Sequence, residues 1–369
     1  VSGEHRRGGL GGNGRPPEQP PFEVALGSNP FVDALSGEVD PLDAWLTALD
    51  RLAARGEEIL PLRQQRATSN AAAAPSTAQA TPILEPRAPD VEPALPQSGL
   101  ARLVGEEANQ KLAALLGRID GWDRFGLSRS ALAQAFPFFY ALYKLYFRVQ
   151  SANHEKIPKT GPIVLAANHG GLLPFDGAMA VLDVLLHTEP PRLPRAIVER
   201  WAGTLPFVNV FFARVGQVVG THENFARLLG EGEAVLVFPE GVEGIRKPIT
   251  QRYRLQRFHV GFVEHALRAR APIVPMAILG SDDQAPILFD VKPLARLLGL
   301  PAAPITPTFP WFGPLGLLPY PVRYRIVYGE PLRFHERFDS EAAHDPSLVR
   351  ALANQVRRAI QTLVDEHRA

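Results

Sequence analysis

The chain has 369 residues, enough for one large or two ordinary domains, and its 46% hydrophobic and 21% charged residues describe a globular protein with a sizeable core. A formal net charge of +1 gives no argument for a nucleic-acid partner. The absence of Cys excludes a disulfide framework, a thiolate nucleophile and any cysteine metal site.

Residues 1–98 differ in composition from the rest. Gly8 to Pro21 is rich in Gly, Pro and Arg, and Ala71 to Gln97 in Ala, Pro, Ser and Thr. Neither stretch can bury enough apolar surface to offset the entropy of ordering, so a largely disordered tail is expected. Within it, residues 41–66 read as an amphipathic helix, with Leu42, Trp45, Leu46, Leu49, Leu52 and Ala53 at helical spacing. Two readings stay open: a helix that docks on the remaining domain, a partner or a membrane, and an isolated helix in a tail. No segment has the basic start and apolar run of a secretory signal.

The domain expected over 99–369 opens with two helical segments, Gly99 to Leu116 and Ala131 to Val149. The second is dense in aromatics, with Phe136, Phe138, Phe139, Tyr140, Tyr143, Tyr146 and Phe147, and is interrupted by Pro137. It is too short and too aromatic for a spanning helix. A helix at a membrane interface, or one covering the core, fits better.

From Pro162 onward strands alternate with helices. Strands are expected at 163–168, 195–199, 215–220, 234–238, 273–279 and 322–328, and helices at 174–187, 222–230, 256–269 and 346–366. Such alternation specifies an α/β fold, a central mostly parallel sheet covered by helices. Thr221 reads as a helix N-cap. The last helix carries Leu348, Leu352, Val356, Ile360 and Val364 on one face, for packing against the sheet.

The first of these strands runs into the most informative stretch, Ile163-Val164-Leu165-Ala166-Ala167-Asn168-His169-Gly170-Gly171-Leu172-Leu173-Pro174-Phe175-Asp176. A buried strand ends at Asn168, two glycines allow a sharp turn, and Pro174 starts a helix whose first turn holds Asp176. One imidazole is thereby brought near one carboxylate, a general base with a group to orient it. A hydrogen-bonded structural His and a capping Asp are the competing reading of the same residues.

Three further blocks follow: Phe211-Phe212-Ala213-Arg214-Val215-Gly216, Phe238-Pro239-Glu240-Gly241 and Pro272-Ile273-Val274-Pro275. In this order, after the Asn-His-Gly block, they resemble the glycerolipid and lysophospholipid acyltransferases, which include the 1-acylglycerol-3-phosphate acyltransferases. The resemblance covers roughly residues 120–335, with the motif core at 160–335. The common family pattern has four residues between His and Asp, whereas six separate His169 from Asp176 here. The longer turn resembles that of a bacterial branch of the superfamily.

The resemblance implies transfer of a fatty acyl group from an acyl thioester, acyl-CoA or acyl carrier protein, to a hydroxyl of a lysophospholipid or glycerolipid. No cofactor is implied beyond that co-substrate. His169 would be the base and Asp176 its orienting acid, and no Gly-x-Ser-x-Gly elbow is present or needed. Backbone N–H groups of Gly170 and Gly171 are candidates for an oxyanion site. Arg214, Glu240 and Gly241 are implied in acceptor binding, with Glu240 meeting glycerol hydroxyls or orienting Arg214. A buried ion pair at the sheet edge is the alternative. Arg246 and Lys247 form a basic loop suited to an anionic headgroup or to coenzyme A phosphates, while Arg252, Arg254 and Arg257 fit a solvated surface. The His residues offer no metal spacing. A catalytically silent lipid-binding scaffold and acylation of a non-glycerol lipid remain alternatives. The expected location is cytoplasmic, peripheral to the inner face of the membrane. The loop Pro304 to Pro321, with Phe309, Trp311, Phe312, Leu315, Leu317, Leu318 and Tyr320, reads as a core cover, an acyl-chain lid or an interfacial loop.

Overall fold

A computed structural model describes residues 99–200, 207–291, 293, 295 and 303–368. The expected tail, with its helix at 41–66, lies outside them. In chain order, a short 3-10 turn at Gly99–Leu103 precedes α1 (Glu106–Leu116), and α2 (Arg129–Ala141) continues into a π-helical turn at Leu142–Tyr146. Then come β1 (Gln150–Ala152), β2 (Ile163–Ala167), α3 (Phe175–His187), β3 (Arg195–Val198), α4 (Val208–Arg214) and β4 (Val218–Val219). They are followed by α5 (His222–Gly230), β5 (Ala234–Val237), α6 (Val242–Ile245), α7 (Gly261–Arg268), β6 (Ile273–Leu279), β7 (Phe289–Asp290), β8 (Pro304–Ile305), β9 (Arg325–Tyr328) and α8 (Pro346–His367).

Seven strands form one sheet in the order β1-β9-β6-β2-β5-β3-β4, and β7 pairs with β8 apart from it. Every pairing in the large sheet is parallel except β6 with β9, where Met276 lies opposite Tyr328 and Leu279 opposite Arg325. The mostly parallel sheet expected from the alternation is therefore present.

A strand buried on both faces needs apolar residues at every position, since alternate side chains enter opposite layers. β2 meets that condition. Ile163, Leu165 and Ala167 enter a core shared with α1, α2 and α3, while Val164 and Ala166 enter one shared with α5, α7 and α8. β6 divides the same way, with Val274, Met276 and Ile278 on the first side and Ile273, Ala277 and Leu279 on the second.

The local signals act as their chemistry requires. Thr221 accepts the Asn224 N–H at the start of α5, and Asp345 accepts those of Ser347 and Leu348 at the start of α8. Val349, Leu352, Val356, Ile360 and Val364 bury one face of α8.

Several boundaries differ from expectation. The first helical segment is split before Gly105, which stands as the N-cap of α1. Pro137 lies inside α2 without ending it, and Phe136, Tyr140, Tyr143 and Phe147 sink into the first core, so the aromatic segment covers the sheet. The strand expected at 215–220 shrinks to Val218–Val219, and the helix expected from 256 begins at Gly261. No helix among the described residues is long and apolar enough to cross a membrane.

Ile360 is fully buried between α8 and the sheet. Ile360→Ala is expected to cost about 2–5 kcal/mol of stability, through lost transfer energy and a residual cavity. Thermal or urea unfolding monitored by circular dichroism checks this.

Candidate active site

β2 stops hydrogen-bonding as a strand at Ala167, but the Asn168 side chain carries the ladder one step further. Its Nδ2 donates to Ile278 O at 3.0 Å, and its Oδ1 accepts the Ile278 N–H at 2.7 Å. That amide pins the end of β2 to β6 and fixes where His169 emerges, at the carboxyl end of the sheet.

His169 Nδ1 lies 2.6 Å from Asp176 Oδ2. A buried carboxylate only accepts, so Nδ1 carries the proton and Nε2 holds the lone pair of the neutral ring. Asp176, fully buried in the first turn of α3, also accepts the Gly170 N–H at 3.1 Å and the Gly177 N–H at 2.8 Å. Six intervening residues thus do not prevent the pair from meeting. The His169 ring stacks on Phe238, centroids 4.3 Å apart, and its side chain keeps 18% exposure.

The main chain of His169 is held by the next strand. Its N–H donates to Glu240 Oε1 at 2.9 Å, while Glu240 Oε2 accepts the Gln256 N–H at 2.7 Å. Lys247 Nζ, almost wholly buried, lies 3.5 Å from Glu240 Oε2 and 3.3 Å from Asp282 Oδ1. Asp282 Oδ2 in turn accepts the Tyr253 N–H at 2.6 Å. Burial works to lower the imidazole pKa of His169, but the charge and hydrogen bond of Asp176, helped by Glu240, outweigh it. The ring is therefore held above its ordinary value of 6.5, with Lys247 opposing.

The two glycines are needed for close packing. A Cβ on Gly170 would lie 2.4 Å from Asp282 Oδ1, and one on Gly171 (φ +81) would fall 1.7 Å from Gln284 Nε2. Gln284 Nε2 instead donates to Gly170 O at 3.1 Å. The Gly170 N–H is committed to Asp176, which corrects its expected part in an oxyanion site. Gly244 makes room on the other side, where a Cβ would stand 2.8 Å from that of His169. Gly241 turns the chain after Glu240 with φ +56.

The other expected site residues divide. Glu240 joins His169, but neither hydrogen bond nor ion pair links it to Arg214, correcting the expected pairing. Buried Arg214 packs over the Trp122 ring, 5.1 Å from its centroid, and its carbonyl accepts the Ser128 N–H. Arg246 pairs with Asp290 at 2.6 Å and Glu243 at 3.3 Å. Arg252 pairs with Asp283 at 3.1 Å, and Arg254 and Arg257 are exposed, as expected for a solvated surface. The parts played by Asn168, Gln256, Asp282 and Gln284 were not foreseen; the polar run Ser281-Asp282-Asp283-Gln284 closing a buried strand marks Asp282 and Gln284, and Asn168 stands in the Asn-His-Gly block itself. Among the described residues no group of three or more His, Asp or Glu is placed to hold a metal ion. Cavities of about 610 Å³ beside Val260 and Arg350 and about 240 Å³ beside Phe125 and Phe212 lie away from His169.

Such an arrangement can do the work of a general base: a ring nitrogen without a hydrogen-bond partner among the described residues, on a partly exposed ring whose far side is held by a buried acid. A family model described as Acyltransferase matches residues 148–279, which contain this whole pair and the Glu240 loop. A Mycobacterium tuberculosis protein described as uncharacterized is 43% identical over 245 residues, 65% of this chain and 67% of that protein. The chain belongs to the acyltransferase family. A Homo sapiens protein described as a DGAT1/2-independent enzyme synthesizing storage lipids is 24% identical to this acyltransferase over 215 residues, 58% of this chain and 60% of that protein. The crystal structure of the 1-acyl-sn-glycerophosphate acyltransferase from Thermotoga maritima is 18% identical, covering 70% of this chain and 88% of that one, with a TM-score of 0.43.

Removing Lys247 from this cluster would leave Glu240 and Asp282 buried without their shared cation. Lys247→Met is expected to cost about 3–5 kcal/mol, the usual effect of breaking a buried pair from one side. Chemical denaturation at neutral pH measures it.

Proposed function

We propose that this acyltransferase moves a fatty acyl group from an acyl thioester, acyl-CoA or acyl carrier protein, to a hydroxyl of a lysophospholipid or other glycerolipid at a membrane surface. His169 is the general base in this reading. The single observation that carries it is the His169–Asp176 bond, which leaves Nε2 without a hydrogen-bond partner among the described residues on a partly exposed ring.

The chemistry follows from that atom. Nε2 takes the acceptor hydroxyl proton as its oxygen forms a bond to the thioester carbonyl carbon. The tetrahedral oxyanion collapses, the C–S bond breaks, and the departing sulfur takes the proton from the imidazolium. The products are one ester and one thiol, and the base is restored. Asp176 stabilises the imidazolium between the two proton transfers, and Glu240 keeps its main chain in place. No enzyme nucleophile is required.

A lipid hydroxyl without a phosphate is the second reading for the acceptor. Lys247 and Arg246, the cations expected to meet an anionic headgroup, are each engaged by two carboxylates. The human relative's description as an enzyme synthesizing storage lipids is in keeping with it.

Thiol release from long-chain acyl-CoAs, measured across lysophospholipid and neutral-glyceride acceptors, tests both readings. His169→Ala is expected to lower turnover by about 10²–10⁴-fold with little change in stability. Wild-type thiol release by the folded variant rejects the base assignment. Absence of thiol release by the wild type with every donor and acceptor favours a silent lipid-binding scaffold.

A further inference from the structure

The most exposed large apolar side chains stand on neighbouring segments. Trp311 is 75% exposed, Phe289 68% and Phe312 67%, and Leu315 and Leu318 stand exposed beside them in sequence. Backbone hydrogen bonds join the segments that carry them. Phe289 lies opposite Ile305 in the β7–β8 pair, the Thr306 N–H donates to Phe309 O, and the Phe312 N–H donates to Thr308 O. Five prolines between 307 and 321 and a 3-10 turn at Gly313–Leu317 give this lip its own shape. Its far end is tied to α2's extension, where Tyr146 Oη donates to Pro319 O and an Arg148 guanidinium N–H donates to Pro321 O at 2.7 Å. Exposed Leu145 stands on that extension.

Beside Phe289 the Asp290 carboxylate is paired with Arg246 at 2.6 Å, and the other segments of the lip and its support carry no acidic side chain. Residues 304–321 hold no charged side chain, and 304–329 hold Arg323 and Arg325 with no Asp or Glu. Residues 124–154 hold Arg124, Arg129, Lys144 and Arg148, again without Asp or Glu. Lys144, Arg148 and Arg323 are exposed, Arg148 bonded to the lip at Pro321, Arg323 two residues beyond it and Lys144 on α2's extension. A protein interface has a rim of mixed polar groups. An uncharged aromatic and aliphatic tip with exposed Lys144, Arg148 and Arg323 on the adjoining segments matches the layering of an anionic bilayer, where Trp sits at headgroup depth and Lys and Arg meet phosphate. With its irregular backbone the lip cannot span a bilayer, only enter its surface.

We propose that the lip formed by Phe289, Trp311, Phe312, Leu315 and Leu318 inserts into the interfacial layer of an anionic membrane, with Lys144 and Arg323 on lipid headgroups. This deepens the acyl-transfer reading by naming the surface from which the acceptor arrives, although its test is independent of activity. The lip is close-coupled to the base: the Tyr320 N–H donates to Gln284 O at 2.7 Å, and Gln284 Nε2 donates to the carbonyl of Gly170, next to His169. Seating the lip therefore sets His169 at a fixed height above the membrane.

The test is co-sedimentation of the full chain with phosphatidylcholine vesicles, with and without phosphatidylglycerol. The double variant Trp311→Ser, Phe312→Ser is expected to lower the partition coefficient at least about tenfold, the scale set by withdrawing two aromatic rings from the interface. Leu315→Ser lowers it less, and both keep the wild-type unfolding midpoint. The pair Lys144→Gln, Arg323→Gln lowers binding to anionic vesicles by roughly tenfold or more and leaves binding to neutral vesicles unchanged. His169→Ala binds as the wild type does, so loss of acyl transfer and loss of membrane seating are separate results. The proposal is overturned by unchanged partitioning of the lip variants, or by both lip variants losing cooperative unfolding, which would make the loop a core cover. It is equally overturned by a wild-type dimer that dissociates on Trp311→Ser, which would make the lip a self-association surface.

Discussion

The hydrogen bond from the His169 main chain to Glu240 is the constraint on which the site rests. β2 and β5 are adjacent and parallel, with Ala166 level with Val237, so their carboxyl ends finish side by side. His169 leaves one strand and Glu240 the other, and a carboxylate reaching across at 2.9 Å converts two loop ends into one fixed corner. β6 closes the corner from the other side through Asn168 and Asp282. Three neighbouring strands thus determine the position of one imidazole, as the crevice beyond the carboxyl ends of an open α/β sheet permits.

The corner is charged and almost dry. Burying Asp176, Glu240, Asp282 and Lys247 together is not an efficient route to stability, because desolvation offsets most of the attraction. What the cluster supplies is position. Each carboxylate accepts main-chain N–H groups: Gly170 and Gly177 for Asp176, His169 and Gln256 for Glu240, Tyr253 for Asp282. The negative charges therefore act as clamps on backbone, and Lys247 is the counterion that lets two of them lie close together. Gly170, Gly171 and Gly244 are small for the same reason, since the loops approach one another more closely than a Cβ allows.

Much of this was legible in the sequence where the signal is local. β2, β5 and β6 read as continuous apolar runs because both of their faces are covered. The His169–Asp176 pair was legible because a strand end, a glycine turn and a helix start leave few ways to place the two side chains. Strands with less to bury were harder: β1 went unforeseen, and β4 has two residues where six were expected. The fate of Lys247 was not legible at all. A lysine in a basic stretch looks like a surface cation, and only the fold brings it against Asp282, 35 positions later. Arg214 gives the converse lesson, since its motif invites a pairing with Glu240 while the tertiary structure sets it against Trp122. The glycines were read for their flexibility, which Gly171 and Gly241 use at positive φ, whereas Gly170 and Gly244 serve for space.

The central claim is that His169 is a base poised by Asp176, and it is tested most directly by NMR titration of the His169 ring beside the pH dependence of kcat/KM. The Asp176 charge and hydrogen bond hold the ring pKa above 6.5, and in the proposed mechanism the neutral ring is the active form. Activity is therefore predicted to rise with pH through a midpoint above 6.5 that coincides with the ring titration, and Asp176→Asn is predicted to move the ring midpoint down. A ring midpoint at or below 6.5 that Asp176→Asn leaves unchanged, or activity that falls as the ring loses its proton, would contradict the account.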